Sequence, residues 1–223
     1  AYTRGALGSI GGVETFMSQN VPTHTVGVGT GTPLVNGAAQ NVTYAASKDT
    51  NTQTIVTDGW TNSTTAIVKA GDVLTFAGCF AVNPVTKSTM SHLKEFVVTA
   101  DANSGASTGP ATITISPAMI VSGAFQNASA APANNAAIVL KGTGAGLYEQ
   151  NMMFTKNAFA LVSVPLVSPP GAVDVSRQSY KGTNVRVIPV YDGTNDISQW
   201  RLDVLYGVKT IDERQAVRVS GTS

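Results

Sequence analysis

Short β-branched runs alternate with polar turn clusters along most of this chain. The runs "TQTIVT" (52–57), "TAIV" (65–68), "DVLTFAG" (72–78), "EFVVTA" (95–100), "ATITIS" (111–116) and "AAIVL" (136–140) read as strands. Between them stand "GTGTP" (29–33), "DANSGASTG" (101–109) and "NASAAPANN" (127–135), which are rich in turn formers. Residues 26–150 therefore read as one compact all-β unit. In "KAGDVLTFAGCFAVNP" (69–84), Gly71 fits a positive-φ corner with Asp72 accepting backbone hydrogen bonds, and Asn83-Pro84 ends the strand. The same corner could hold a ligand between Lys69 and Asp72, but the barrel corner is the better reading.

The last third has a different pattern. "AFALVSVPLVSPP" (158–170) is nearly continuous and apolar, as expected of a strand buried on both faces and confined by its prolines to a sheet edge or strand end. "NVRVIPVYDG" (184–193) and "ISQWRLDVLYG" (197–207) read as two long strands joined by an Asp-Gly-Thr-Asn turn. Trp200, Leu202, Val204 and Tyr206 share one face of the second strand, and with Tyr191 the aromatic residues are read as core packing. "QAVRVS" (215–220) closes the chain. The best helix candidate lies within residues 5–19, and its glycines argue against it.

Charge changes the picture only locally. Only 12% of the residues are charged and the formal net charge is +1, so no strong attraction to nucleic acid or anionic lipid is implied. The charges concentrate toward the end: residues 141–223 hold 9 Lys/Arg and 7 Asp/Glu, against 5 and 6 in residues 1–140. That mixture suits salt-bridged contacts. No apolar run reaches the length of a membrane helix.

Reactive chemistry is hard to assemble from these residues, so the chain is read as a non-enzyme with no cofactor. Two histidines, His24 and His92, and one cysteine cannot make a structural zinc site, and both histidines read as solvated loop residues. Cys79 reads as a small buried hydrophobe. "LGSIGG" (7–12) lacks the first glycine of a nucleophile elbow. "GVGTGT" (27–32) and "GTGAG" (142–146) lack a dinucleotide fingerprint and read as flexible joints bracketing the β unit. Three Asn-x-Ser/Thr sequons, at Asn41, Asn62 and Asn127, are expected by chance in so Asn/Thr-rich a chain.

Four segments in order carry a resemblance. They are "LGSIGGVETFMSQNVPTHTVG" (7–27), "KAGDVLTFAGCFAVNPVTK" (69–87) with "EFVVTA", "SPAMIVSGAFQNASAAPANNAAI" (116–138), and "AFALVSVPL" through "QSYKGTNVRVIPVYDGTNDISQWRLDVLYGVKTIDERQAVRVSG" (158–221). Together they resemble the major capsid (coat) proteins of short-tailed phages of the P-twenty-two-like group. The resemblance implies an α+β chain, predominantly β in this stretch, with the capsid fold shared by tailed phages and herpesviruses and an inserted β-barrel domain. Residues 1–25 would be an apical segment of the capsid core, 26–150 the inserted barrel, and 151–223 the core's C-terminal strands. Family members carry an N-terminal arm, an extended loop and a spine helix ahead of the matched region, so this sequence looks like the C-terminal half of a coat chain.

The implied function is a structural one: a virion protein that self-assembles, as pentamers and hexamers, into an icosahedral shell around phage DNA. Assembly would take place in the bacterial host cytoplasm. Scaffolding, portal or decoration proteins are further partners, packaged DNA is touched only non-specifically, and no membrane is involved. Subunit-contact candidates are Arg177, Arg186, Arg201, Asp203, Arg214 and Arg218 in the charge-dense third, with Lys48 and Asp49 at the tips of the polar loop 45–54. The alternative is an extracellular β-rich binding module, an adhesin or receptor-binding domain, favoured by the Thr/Asn-rich strands and the sequons.

Overall fold

The structure is a computed structural model that describes residues 5–172 and 174–220. It divides into two compact units, the first built on the residues up to Gln150 together with Ser220, the second on Asn151–Val219.

The first unit opens with a hairpin of β1 (Ala6–Ile10) and β2 (Val13–Phe16), with Ile10 opposite Val13. Gly11 and Gly12 form its two-residue turn with φ of +59° and +84°. Two consecutive positive-φ residues match the twist of a tight hairpin, so the glycines that argued against a helix supply the turn instead. After β3 (Thr23–Thr25) the chain enters a barrel. Its elements are β4 (Gly31–Val35), the short α1 (Tyr44–Ser47), β5 (Gln53–Trp60), β6 (Val73–Val82), β7 (Thr89–Val98), β8 (Ala111–Ser116) and β9 (Ile138–Leu140). The six strands are ordered β4-β5-β8-β7-β6-β9. The sheet closes where Leu34 bridges Ala137 and Val35 N–H donates to the Ala136 carbonyl at 3.0 Å. The two end strands of the sheet thereby meet and shield part of each other's edge.

Alternation decides which residues fill this barrel. On β5 Gln53, Ile55 and Thr57 are buried while Thr54 and Val56 are exposed, and on β8 Ala111, Ile113 and Ile115 point inward. Phe76 and Phe96 meet edge to face at 5.5 Å in the centre. The two buried polar side chains of β5 are hydrogen-bonded. Thr57 Oγ1 donates to the Ala111 carbonyl and accepts from Trp60 Nε1, while Gln53 Oε1 accepts from Met119 N–H. Gly71 lies at φ +100° in the Lys69–Asp72 corner, Gly78 at +79° where the β6–β7 register slips, and β6 stops at Val82 just before Asn83-Pro84. Cys79 is fully buried against Met119, and burial pushes its thiol up to about 11.

Two expectations for this unit need correction. "TAIV" is not a strand: Ala66 has φ +51°, and only Val68 makes an isolated bridge, to Ala102. The Ala66 and Ile67 carbonyls are instead taken by Val28 N–H and Gly29 N–H at 3.0 and 2.9 Å. The Gly-rich runs are not loose joints. Ala145 N–H donates to the Gly27 carbonyl at 3.1 Å, and a Cβ on Gly144 would lie 2.1 Å from the Val28 carbonyl oxygen. Glycine is required there because two backbones touch.

The strand β10 (Leu147–Phe154) starts in the first unit, where it pairs with β3, and the second unit continues from it. That unit contains β11 (Phe159–Val164), β12 (Ser176–Tyr180), β13 (Thr183–Asp192), β14 (Ile197–Asp203), β15 (Leu205–Thr210) and β16 (Ala216–Ser220). β11 pairs with β15, and β12-β13-β14 form a three-stranded antiparallel sheet. The Asp-Gly-Thr-Asn hairpin forms as read, with Asp192 opposite Ile197.

Here too the structure corrects the sequence. The run 197–207 is two strands, broken at Val204, so Trp200 and Tyr206 lie in different sheets. Residues 159–164 form a strand, but not one buried on both faces: Leu161 is 71% exposed. Tyr191, Trp200 and Tyr206 are not packed in a core either, at 66%, 69% and 65% exposure. The common cause is that these sheets have no apolar layer over them among the described residues. Ala158 and Ile188 are the buried hydrophobic residues of this unit.

Candidate contact surface

The charges singled out in the sequence fall into three groups. The first is a network on one face of the β12-β13-β14 sheet. Register places Arg177 opposite Arg186, and Arg186 opposite Asp203. Residues paired in this way present their side chains on the same face. Arg186 donates to Asp203 Oδ2 through Nη2 at 2.5 Å and Nε at 3.2 Å, and its Nη1 donates to the Val167 carbonyl. Arg201 Nε donates to Asp203 Oδ1 at 2.7 Å. Both carboxylate oxygens are thus occupied by arginines.

The side chains of Arg186 and Asp203 are each only 13% exposed, whereas Arg201 is 67% exposed. Arg177 is exposed and has no ion-pair partner among the described residues. The end of β11 is tied to this same sheet: Asn184 N–H donates to Ser163 Oγ at 3.0 Å, and Asn184 Nδ2 donates to the Ser163 carbonyl at 3.1 Å.

The Arg186 guanidinium first, and Arg201 second, hold the Asp203 carboxyl below its usual range. A depressed folded-state value means that the stabilisation is present above the unfolded value and is lost as pH falls through the folded one. An NMR titration of the Asp203 carboxyl carbon is therefore expected to show a midpoint below the ordinary value of about 3.9. A midpoint at or above that value would mean that the network does not hold in solution.

The second group is the C-terminal pair. Arg214 Nε donates to Asp212 Oδ1 and Nη2 to Oδ2, both at 3.0 Å, and this fork holds Asp212 down to about 2. Gln215 anchors the same turn by accepting from Thr155 Oγ1 at 2.6 Å. Arg218, on β16, is exposed and has no ion-pair partner among the described residues.

The third group is the barrel loop. Lys48 ends α1, and Asp49 follows it; both are exposed. Tyr44, at the other end of α1, stacks on Phe125 with ring centroids 3.7 Å apart and planes 7° apart. The stack ties the loop to the neighbouring segment.

One polar site was missed in the sequence. His24, read as a solvated loop residue, bonds Asp72 Oδ1 through Nε2 at 2.7 Å, and its side chain is only 18% exposed. Asp72 Oδ2 accepts from Lys69 N–H at 2.7 Å and Gly27 N–H at 3.0 Å. The corner aspartate therefore ties the chain's path into the barrel to the barrel itself. The Lys69 N–H bond was legible as turn chemistry. No local signal marks His24, which lies 48 residues away. Among the described residues no three metal-ligating side chains converge, and no helix is long and apolar enough to cross a membrane.

Comparison with known proteins places the chain among phage coat proteins. The family described as "P22 coat protein - gene protein 5" matches residues 1–219. A "Major capsid protein" of Acyrthosiphon pisum secondary endosymbiont phage 1 is 29% identical over 206 residues, which cover 89% of this chain and 48% of that protein. The chain thus spans about half the length of the curated relative it matches. Among solved structures, the "CUS-3 coat protein I-domain" aligns at 28% identity with a TM-score of 0.34, covering 50% of this chain and 96% of that one. The chain belongs to the P22 coat protein family.

Proposed function

We propose that this chain is part of a major capsid protein whose copies, as pentamers and hexamers, build an icosahedral shell around phage DNA. In this reading residues 26–150 are an inserted barrel, and residues 1–25 and 151–223 belong to a core with the capsid fold shared by tailed phages and herpesviruses. Assembly occurs in the host cytoplasm, with scaffolding, portal or decoration proteins as further partners.

The observation that carries the proposal is the uncovered apolar surface of the second unit. Leu161, Trp200, Leu202, Tyr206 and Val208 are each at least 65% exposed. Soluble monomers rarely leave so many large apolar side chains in water on one small unit. A shell subunit, held by further chain and by several neighbours, can bury them; many modest contacts then add up to a stable particle.

The test is electron microscopy of the coat chain at its full natural length. Closed particles of many copies are expected, and a monodisperse monomer or trimer would overturn the reading. Arg201→Ala combined with Arg218→Ala is expected to lower particle yield while leaving monomer folding within about 1 kcal/mol of the parent, because both arginines are exposed. Normal yield would remove these two residues from the contact surface.

A further inference from the structure

We propose that Arg177 is one half of a split ion pair, and that the cleft beside it receives a carboxylate side chain from a second copy of this chain. The inference rests on the capsid reading and deepens it, by naming the chemistry of one contact.

Across β12, β13 and β14 the paired residues run Arg177, Arg186, Asp203, and Arg201 joins from two residues back along β14. Arg186 and Arg201 share the one carboxylate of Asp203 and Arg177 stands beside Arg186 without one, so the cluster carries two uncompensated positive charges. Both oxygens of Asp203 already accept from arginines, and Arg186 donates to Asp203 and the Val167 carbonyl. Arg177 is left facing a like charge, an arrangement that is unfavourable for directly opposed strand residues. β12 is the edge of its sheet, so no further strand of the sheet can bring an acid to it.

The space beside Arg177 is shaped for a guest. A cleft of about 280 Å³ is lined by Arg177, Ser179, Asn184 and Arg186 on the sheet side and by Pro165 and Leu166 on the other. One available guanidinium, a hydroxyl and two apolar walls fit a single acidic side chain on a peptide. They do not make the row of cations that tracks a nucleic-acid backbone. The guanidinium fork matches a carboxylate in two parallel hydrogen bonds. In a shell of identical subunits, the molecule present at every such cleft is another copy.

The experiment replaces the guanidinium by a group that can be captured. Full-length Arg177→Lys coat chains, half of them labelled with heavy nitrogen, are assembled together and treated with a carbodiimide. The reagent activates a carboxylate, the lysine amine attacks it, an amide forms, and the carbodiimide leaves as its urea carrying the carboxylate oxygen. Peptide mass spectrometry is expected to find an amide joining position 177 to an Asp or Glu, with mixed light and heavy peptides. The parent chain gives no such amide, because arginine is not acylated in this way.

In parallel, Arg177→Glu is expected to lower particle yield about tenfold or more, because a like charge is set against the incoming acid. The monomer's urea unfolding should be unchanged. An amide found only between peptides of equal label would place the acid in the same chain and overturn the proposal, as would no amide at all or full assembly of Arg177→Glu. Failure of the parent chain to form particles would instead overturn the capsid reading itself.

Discussion

Asp72→Ala is expected to lower the stability of the barrel by about 4 kcal/mol, the summed loss of several charge-assisted hydrogen bonds in a site water reaches poorly. The Asp72 side chain is fully buried, and its oxygens serve Gly27 N–H, Lys69 N–H and His24 Nε2 at 3.0, 2.7 and 2.7 Å. Alanine leaves the buried Gly27 amide with nothing to donate to, and that penalty exceeds the net value of a hydrogen bond made in the open. Asp72→Asn separates charge from bonding. Its amide oxygen can accept from both backbone groups while its nitrogen faces the His24 ring, so a loss of only about 1 kcal/mol is expected.

The measurement follows Trp60 fluorescence during urea unfolding in a Trp200→Phe background. The chain has two tryptophans, and Trp60 is the one buried in the barrel. If Asp72→Ala unfolds within about 1 kcal/mol of its parent, an ordinary surface-type effect, the corner does not depend on this carboxylate.

The corner also shows where the sequence was readable. Its positive-φ glycine, its backbone-accepting aspartate and the strand end at Asn83-Pro84 follow from local turn chemistry, and all appear in the structure. "ATITIS" is a strand with the bounds that its alternation sets, because every second residue fills the barrel. "TAIV" has the same β-branched composition but faces the glycine-rich run 27–32, whose amides take its carbonyls. Composition alone cannot distinguish a strand from a loop that bonds to another loop. The His24–Asp72 pair is illegible for a related reason: it joins β3, which precedes the barrel, to the corner before β6, across 48 residues.

The charged network was more accessible than the reading of its residues as separate subunit-contact candidates implied. The hairpin turn at 193–196 sets Asp192 opposite Ile197, and counting back from that pair puts Arg186 opposite Asp203. The exposure of "AFALVSVPL" had no such route. Its apolar pattern reports a strand meant to be covered, but not what covers it.

Gly109→Ala is expected to cost about 3 kcal/mol, combining backbone strain with overpacking. Gly109 has φ +62°, which alone costs an alanine about 1 kcal/mol. The larger part comes from its surroundings. A Cβ at this position would lie 1.9 Å from the Trp60 carbonyl oxygen and 2.6 Å from its carbon. Both are backbone atoms at the end of β5, and they cannot rotate away as a side chain would. Relief requires the loop to lift from the strand, which would disturb the Gly59 N–H to Thr108 carbonyl bond of 2.8 Å.

Gly123→Ala is the matched control. Gly123 has φ +85°, yet nothing lies within 4 Å of its added Cβ, so only the backbone part of about 1 kcal/mol remains. The same Trp60 unfolding measurement reads both variants. Equal losses at the two glycines would show that backbone conformation alone, and not the close approach of loop to strand, makes glycine necessary at position 109.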